Sequence, residues 1–199
     1  MSILVWFRND LRLHDHEPLQ AALNAGVGVI PVYCFDPRQF GQTTFGFPKT
    51  GKFRAQFLLE SVADLRRSLQ QRGSDLIIRW GEPETVLPAL VKELDAQAVY
   101  WHAEATAEEL AVENNLANHL EAQGTTVQTY WGATLYHLDD LPFAVQKVPE
   151  VFTQFRKQIE KSSTVYEPFT SPSKLPPLPP SLTVGDLPDR AKLGVETPE

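Results

Sequence analysis

The sequence predicts an α/β protein: a doubly wound, five-stranded parallel sheet in the order 3-2-1-4-5, followed by an extended proline-rich C-terminal segment. Short apolar runs typical of buried strands alternate along the chain with segments that have apolar residues at helical spacing. Parallel strands joined by helices form right-handed crossovers, which place helices on both faces of one sheet. Half of the sixteen prolines lie within residues 161–199.

The first part of the chain contains two strands and two helices. Residues 3–7 form a continuous apolar run, as expected for a strand buried on both faces. A short helix follows at about 18–24. Residues 27–35 form the second strand, in which Pro31 lacks a backbone donor and favours an irregular start or an edge position. The helix expected over 52–72 carries its apolar residues at helical spacing: Phe57, Leu58, Val62, Leu65 and Leu69.

The second part of the chain continues the alternation. Strands are expected at 75–80, 97–102 and 125–131, and helices at 83–94 and 106–123. In a sheet of the predicted order, a ligand crevice lies beyond the carboxyl ends of strands 1 and 4, where the strand order reverses.

The two loops at that crevice are residues 8–16 and 103–109. The first loop contains no glycine, so the fold is Rossmann-like but a dinucleotide bound in the Rossmann manner is not expected. Cys34 is interpreted as a small core residue and not as a nucleophile. Residues 14–17 (HDHE) have metal-ligand side chains, but we favour a polar loop that caps the first helix. We predict neither a metal site nor a catalytic residue.

Composition limits the partners of the chain. With 25 acidic and 18 basic residues the formal net charge is −7, which argues against strong binding of a phosphate backbone by this chain alone. A single cysteine excludes an internal disulfide framework. The N-terminal apolar run is too short for a signal peptide, and no stretch has the apolar length of a membrane span. We expect a cytoplasmic protein with no membrane partner.

The uneven distribution of proline divides the chain. Residues 1–160 are predicted to form the domain, and residues 161–199 a linker with polyproline II character that leads to another domain. A disordered tail is equally compatible with this composition.

Several motifs resemble the N-terminal domain of the DNA photolyase and cryptochrome family. Residues 5–13 (VWFRNDLRL) are similar to the WFRxDLR signature that follows the first strand in this family, and DPRQF at 36–40 is a second match. Other stretches resemble the DASH branch of the cryptochromes: FPKTG at 47–51, YWGATL at 130–135, DLPF at 140–143 and FTQFRK at 152–157. The resemblance extends from residue 3 to about residue 160.

The resemblance implies a light-harvesting antenna domain of a blue-light flavoprotein that repairs cyclobutane pyrimidine dimers or senses light. The implied antenna is methenyltetrahydrofolate, with a deazaflavin or FMN as alternatives. In this family FAD and the lesion-binding groove belong to a helical C-terminal domain. The implied partner is therefore that FAD-binding domain, in the same or a separate chain, and DNA is reached only through it. Alone, this chain is expected to be inactive.

The resemblance also implies cofactor-binding roles for five residues: Phe7, Arg8, Asp10, Glu108 and Glu109. Glu109 matches a glutamate that binds the pterin, since a carboxylate accepts two parallel N–H bonds from an aminopyrimidinone edge. The same residue is positioned to complete a capping box with Thr106, and the two interpretations are not exclusive. Phe7 packs against a chromophore or in the core. Arg8 and Asp10 line the crevice floor or form an ion-pair network that ends the strand.

The acidic residues of the fourth predicted helix are interpreted as a solvated face: Glu108, Glu109, Glu113 and Glu121.

Two alternative functions stay open for a chain of the predicted topology. One is a free-standing small-nucleotide-binding domain without photochemistry, and the other is an interaction module that docks its proline-rich tail on another protein.

Overall fold

The fold is described for residues 1–195 by a computed structural model. Its strands form one parallel sheet in the order β3-β2-β1-β4-β5, which confirms the predicted fold class. In chain order, the strands and α-helices of these residues are β1 Ser2–Phe7, α1 Glu17–Asn24, β2 Gly28–Phe35, α2 Lys52–Gln70, β3 Ile77–Trp80, α3 Pro83–Leu94, β4 Ala98–His102, α4 Ala107–Ala122, β5 Thr126–Tyr130 and α5 Phe152–Ser162.

Side chains of β1 divide the core into two layers. Because successive strand residues point to opposite faces, Val5 and Phe7 pack in one buried cluster, and Leu4 and Trp6 pack in the other. The first cluster includes buried residues of α1 and α2, and the second includes buried residues of α3 and α4. None of the helices within residues 1–195 is both long and apolar enough to cross a membrane.

Pro31 lies in a central strand, so the edge position considered for it is wrong. It is paired with Val5 of β1, and β2 separates β1 from β3. The ladder between β2 and β3 begins at Val32, one residue after the proline. Pro31 therefore lies outside the β3 ladder, and the absence of its N–H does not interrupt the pairing there.

One residue assigned to the apolar stripe of α2 is not part of the core. Phe57 is 71% exposed, whereas Val62, Leu65 and Leu69 are buried between α2 and the sheet. Together with Ala55, these three form the face that packs inward. The first half of α2 thus leaves a large aromatic side chain in solvent.

The proline-rich segment packs on the α/β unit. Helix α5 extends across residue 160, and residues 163–195 contain neither helix nor strand. Leu175 and Leu193 of this segment are only 2% and 1% exposed and belong to the core cluster of α1 and α2. The backbone N–H of Leu175 donates to the carbonyl oxygen of Arg72 at 2.8 Å. Residues 196–199 of the predicted linker lie outside the described residues.

The same segment covers the exposed edge of β3. The backbone N–H of Ile78 donates to the carbonyl oxygen of Val184 at 2.7 Å, and the Arg79 guanidinium donates to the carbonyl oxygen of Thr183 at 3.0 Å. An uncovered strand edge would offer these groups to another chain. Gly185 follows at φ +85°, and a Cβ atom there would overlap the carbonyl oxygen of Ile78.

We therefore expect Gly185→Ala to destabilise the protein more than Gly194→Ala. Both glycines have positive φ, but only Gly185 lies against the sheet, and no atom lies within 4 Å of a Cβ at Gly194. The shared backbone strain costs about 1 kcal/mol. The overlap with Ile78 should add about 1–3 kcal/mol to the loss at Gly185. Denaturant unfolding of both variants measures the difference, and equal losses would show that the segment does not pack on β3.

Candidate functional site

A cavity of about 340 Å³ lies beyond the carboxyl ends of β1 and β2, next to the start of α4. The two predicted crevice loops meet here, because side chains of residues 8–10 contact side chains of residues 102–109. The predicted crevice lies between β1 and β4, whereas this cavity is displaced towards β2: α4, which follows β4, contributes to its lining, but the strand β4 itself does not. The cavity is lined by Trp6, Phe7, Arg8, Asn9, Tyr33, Cys34, Asp36, Arg38, Gln39, Lys49, Pro83, Glu84, Glu108, Glu109, Ala111, Val112 and Asn115.

The floor of the cavity comes from the ends of β1 and β2. Trp6, Tyr33 and Cys34 are buried, and Phe7 is fully buried with its ring centroid 4.5 Å from that of His16. Phe7 therefore lies in the core beneath the cavity. Burial raises the pKa values of the Cys34 thiol and the Tyr33 hydroxyl above their usual ranges. Both groups stay neutral at physiological pH, which agrees with the interpretation of Cys34 as a core residue.

Arg8 is a buried cation among three carboxylates. Its side chain is 4% exposed and forms ion pairs with Glu109 and Glu113 of α4, while Glu104 lies 3.9 Å away. Its guanidinium carbon lies 4.5 Å from the centroid of the Trp6 ring. A planar guanidinium can serve several carboxylates and an aromatic face at once. Arg8 therefore links the end of β1 to the first two turns of α4.

The pairing with Arg8 corrects two interpretations of α4. Glu109 does not form a capping box, since Thr106 is the N-cap without a side-chain cap hydrogen bond and the Glu109 carboxylate binds Arg8. Glu113 is buried and also binds Arg8, so it is not part of a solvated face. The four-residue spacing of these two glutamates places them on one side of the helix, and this spacing could have suggested that they share a partner. Nothing near them in the sequence indicates that this partner is Arg8, directly after β1.

Two further cations form ion pairs at the rim of the cavity. Lys49 pairs with Glu108, whose side chain is 73% exposed. Arg38 lies 2.6 Å from both the Asp36 and the Glu84 carboxylates. Glu108 and Glu109 therefore both line the cavity, but each already contacts a cation. Lys49 and Arg38 are cavity residues that the sequence analysis did not assign.

Asp10 lies beside the cavity and does not line it. One carboxylate oxygen accepts from the backbone N–H of Arg8 at 2.7 Å, and the other lies 2.6 Å from Nδ1 of His102 and 2.9 Å from Nε2 of His16. Burial opposes ionisation of Asp10, but the contacts from His102 and His16 outweigh it and hold the pKa well below the usual range. Asp10 is therefore a buried anion that fixes the first crevice loop.

His16 also caps helix α1, which confirms the capping interpretation of this loop. The backbone N–H of Leu19 donates to Nδ1 of His16 at 3.1 Å, so Nδ1 is unprotonated and Nε2 carries the proton of the neutral ring. Nε2 is not aligned for a hydrogen bond with Asp10 despite the short distance, so the contact is mainly electrostatic. The sequence analysis identified neither this contact nor that of His102.

Three possible metal ligands are close together here, yet their hydrogen bonds do not fit a metal ion. Potential ligand atoms of Asp10, His16 and His102 lie within 4.8 Å of one another. A metal on Nε2 of His16 would require the ring proton on Nδ1, where it would face the N–H of Leu19. The arrangement of Asp10, His16 and His102 is therefore better suited to histidine ring N–H groups facing a carboxylate than to a bound metal ion.

The cap predicts a pH dependence of stability. Burial lowers the pKa of His16 below 6.5, against the opposing effect of Asp10, so the unfolded chain binds a proton that the folded chain does not. The free energy of unfolding should therefore decrease as the pH falls from about 7 to 5, by at most about 1.4 kcal/mol per pH unit for one proton.

Urea unfolding across this pH range tests the assignment. His16→Gln should lower stability at pH 7 and flatten the pH dependence. The exposed His14 serves as the matched control, and His14→Gln should keep the slope of the original protein. An unchanged slope in His16→Gln would assign the titration to another group.

Comparison with known proteins places this geometry in a family. The model of the DNA photolyase family matches residues 3–178. A cryptochrome DASH from Gloeobacter violaceus is 57% identical over 197 residues, which cover 99% of this chain and 39% of that protein. Among solved structures, a Synechocystis cryptochrome is similar with a TM-score of 0.93 and 47% identity, over all of this chain and 40% of that one.

A more distant structure is also similar over most of the chain. A photolyase from Sulfolobus tokodaii, solved with two FAD molecules, has a TM-score of 0.77 and 27% identity over 92% of this chain and 40% of that one. The chain spans about two fifths of the length of these relatives and matches their N-terminal α/β domain. On this evidence the chain belongs to the DNA photolyase family and is similar to the cryptochromes DASH.

Proposed function

We propose that this chain is the antenna domain of a cryptochrome DASH-type blue-light flavoprotein and that the cavity beyond the carboxyl ends of β1 and β2 holds the antenna chromophore. The observation that carries the proposal is this cavity of about 340 Å³, which combines an aromatic floor with carboxylate acceptors at its rim. Its size lies in the range of small-molecule sites. The S. tokodaii photolyase, described as implying a novel light-harvesting cofactor, supports an antenna in a protein of similar fold.

The proposed chromophore is methenyltetrahydrofolate, with a deazaflavin or a flavin nucleotide as the alternative. Glu109 is the proposed acceptor for the pterin edge. Because one of its carboxylate oxygens binds Arg8, the other oxygen alone is left for N–H donors of the ligand, and the two parallel bonds expected from the sequence are not available. Glu108 stands next to it at the cavity mouth. A carboxylate held by a buried cation keeps a fixed direction, which a freely rotating side chain would not.

The other predicted residues act as positioning residues in this proposal. Arg8 orients Glu109, Asp10 fixes the backbone of Arg8 through a 2.7 Å hydrogen bond, and Phe7 supports the floor from below. When bound, the antenna would supply light absorption and transfer of excitation energy, with no bond made or broken. The task of these residues is then to fix the orientation of a planar ligand and to exclude water from it.

The proposal includes a division of the chain into a domain and a connector. Residues 1–160 form the antenna domain and residues 161–199 the connector to an FAD-binding helical domain, through which DNA would be bound. Support comes from the relatives, of which this chain covers about two fifths, and from the net charge of −7, which disfavours a phosphate backbone. The buried positions of Leu175 and Leu193 weigh against a tail that docks on another protein.

The proposal predicts that purified protein binds methenyltetrahydrofolate and shifts its near-ultraviolet absorption band. Glu109→Gln should weaken binding about tenfold, the equivalent of about 1.4 kcal/mol, because an amide accepts N–H bonds less strongly than a carboxylate. Glu121→Gln changes an exposed glutamate at the other end of α4 and should leave the affinity unchanged.

Thermal melting of the same variants separates loss of binding from loss of folding. A folded Glu109→Gln protein with unchanged affinity would remove Glu109 from the site. If methenyltetrahydrofolate, riboflavin, FMN and a deazaflavin all leave the spectrum and the melting temperature unchanged, the antenna function of this chain is refuted.

A further inference from the structure

A second cavity, of about 320 Å³, lies beyond the carboxyl ends of β4 and β5. It is bounded by the loop after β1, the loop after β5 and residues 165–169, and within residues 1–195 it shares no lining residue with the first cavity. We propose that it is a second ligand site, which binds an uncharged or cationic planar aromatic compound through a hydrogen bond donated by that compound to Nε2 of His102. The proposal concerns a different cavity from the antenna function and does not depend on it.

The floor of the second cavity contains a buried imidazole with one free nitrogen. The side chain of His102 is 7% exposed, and its Nδ1 lies 2.6 Å from the carboxylate of Asp10. Although burial opposes ionisation of Asp10, contacts from His102 and His16 hold its pKa well below the usual range, so the carboxylate accepts and Nδ1 donates. In the neutral ring Nε2 is then an acceptor, and no group of residues 1–195 donates a hydrogen bond to it. A buried acceptor without a donor favours a ligand that supplies one.

Gly132, two residues after β5, leaves this nitrogen open to the cavity. Both Gly132 and His102 line the cavity, and a Cβ atom at Gly132 would lie 2.6 Å from Nε2, which is too close for two non-bonded atoms. Gly132 is not among the glycines with positive φ, so its backbone conformation is open to other residues. The glycine is therefore needed for the space next to Nε2 and not for the turn.

The aromatic side chains of the wall have their polar groups engaged outside the cavity or within the wall. The indole N–H of Trp131 donates to Oγ1 of Thr134 at 2.7 Å, and the Tyr166 hydroxyl donates to Oδ1 of Asp140 at 3.0 Å. Phe169 is a third aromatic residue of the lining. These hydrogen bonds hold the rings of Trp131 and Tyr166, which leaves apolar ring surface for a ligand. Apolar walls with a single directional polar group are typical of sites for planar ring compounds.

The wall formed by the proline-rich segment is tied to the loop after β1. The backbone N–H of Asp15 donates to the carbonyl oxygen of Phe169 at 2.7 Å, and the N–H of Phe169 donates to Oδ1 of Asp15 at 3.4 Å. These two bonds bridge residues that are 154 positions apart in the sequence. The cavity is thus formed before a ligand enters, as is usual for small-molecule sites.

The charged side chains of the lining disfavour an anionic ligand. They are one cation and three carboxylates: Arg12, Asp15, Glu17 and Glu167. The Arg12 guanidinium is already engaged, because it donates to the backbone carbonyl oxygens of His14 at 3.1 Å and Asp15 at 2.9 Å. An anion would therefore meet more negative than positive charge, whereas an uncharged or cationic ring would not be repelled.

Three related compounds test the proposal by NMR titration of the purified chain. Indole donates one N–H, 1-methylindole has none, and indole-5-carboxylate adds a negative charge to the same ring. We expect indole to bind about fivefold more tightly than 1-methylindole, because the methyl group removes the hydrogen bond. It should also bind about threefold more tightly than indole-5-carboxylate at low salt, and this second ratio should shrink at high salt.

The side-chain ¹⁵N resonances of histidine show where indole binds. Indole should shift the Nε2 resonance of His102, and 1-methylindole should shift it much less. The exposed His14 serves as the control and should be unaffected by either compound. An unchanged His102 resonance at saturating indole would overturn the proposal, as would equal affinities for indole and 1-methylindole. Tighter binding of indole-5-carboxylate than of indole would refute the selection by charge.

The variant Gly132→Ala closes the space next to Nε2 and should weaken indole at least tenfold. Gly41→Ala is the matched control, since a Cβ there has only the carbonyl oxygen of Arg38 at 3.9 Å, and it should leave the affinity unchanged. Thermal melting shows whether both variants are folded. A folded Gly132→Ala protein that binds indole as tightly as the original chain would contradict the proposal. If this variant does not fold, the His102 resonance of the original chain decides.

Discussion

The buried Arg8 guanidinium is the interaction on which the carboxyl edge of the sheet depends. It joins the central strand to the helix across the reversal of strand order, through Glu109 and Glu113 on successive turns of α4. Removing one partner of such a network would leave an unpaired charge in a site with little solvent, which typically costs 3–5 kcal/mol. The network therefore fixes the end of β1 relative to the first two turns of α4.

The same network limits what the cavity can do. A carboxylate that neutralises Arg8 cannot also turn freely toward a ligand, so Glu109 offers one oxygen in one direction. In the proposed site, the ligand would therefore have to bring an N–H donor to this one oxygen. Asp10 likewise fixes the loop after β1. Its buried charge is stabilised by the nearby rings of His102 and His16 and by the backbone N–H of Arg8.

The fold could be predicted because its signals are local, and much of the site could not because its contacts are distant. Apolar runs and helical spacing identify the five strands and the helices α1 to α4 within a few residues, and the short connections restrict the topology. They did not predict α5, Phe152–Ser162. By contrast, Arg8 and Glu113 are 105 positions apart, and Asp10 and His102 are 92 apart. Proline content predicts a C-terminal segment without helix, and residues 163–195 contain neither helix nor strand, but it does not predict that this segment packs on the domain. Carbonyl groups of that segment accept hydrogen bonds from Ile78 and Arg79.

The carboxylates of the cavity are compensated by cations of the same cavity. Four carboxylates line it, on Asp36, Glu84, Glu108 and Glu109, together with three cations, on Arg8, Arg38 and Lys49. Each of the four carboxylates is paired with one of these cations. Crowded like charges destabilise a folded protein by self-repulsion unless opposite charges compensate them. A ligand that binds only the folded state would stabilise it by mass action. In the proposed site this gain would not depend on a charged ligand, because the charges of the lining nearly balance.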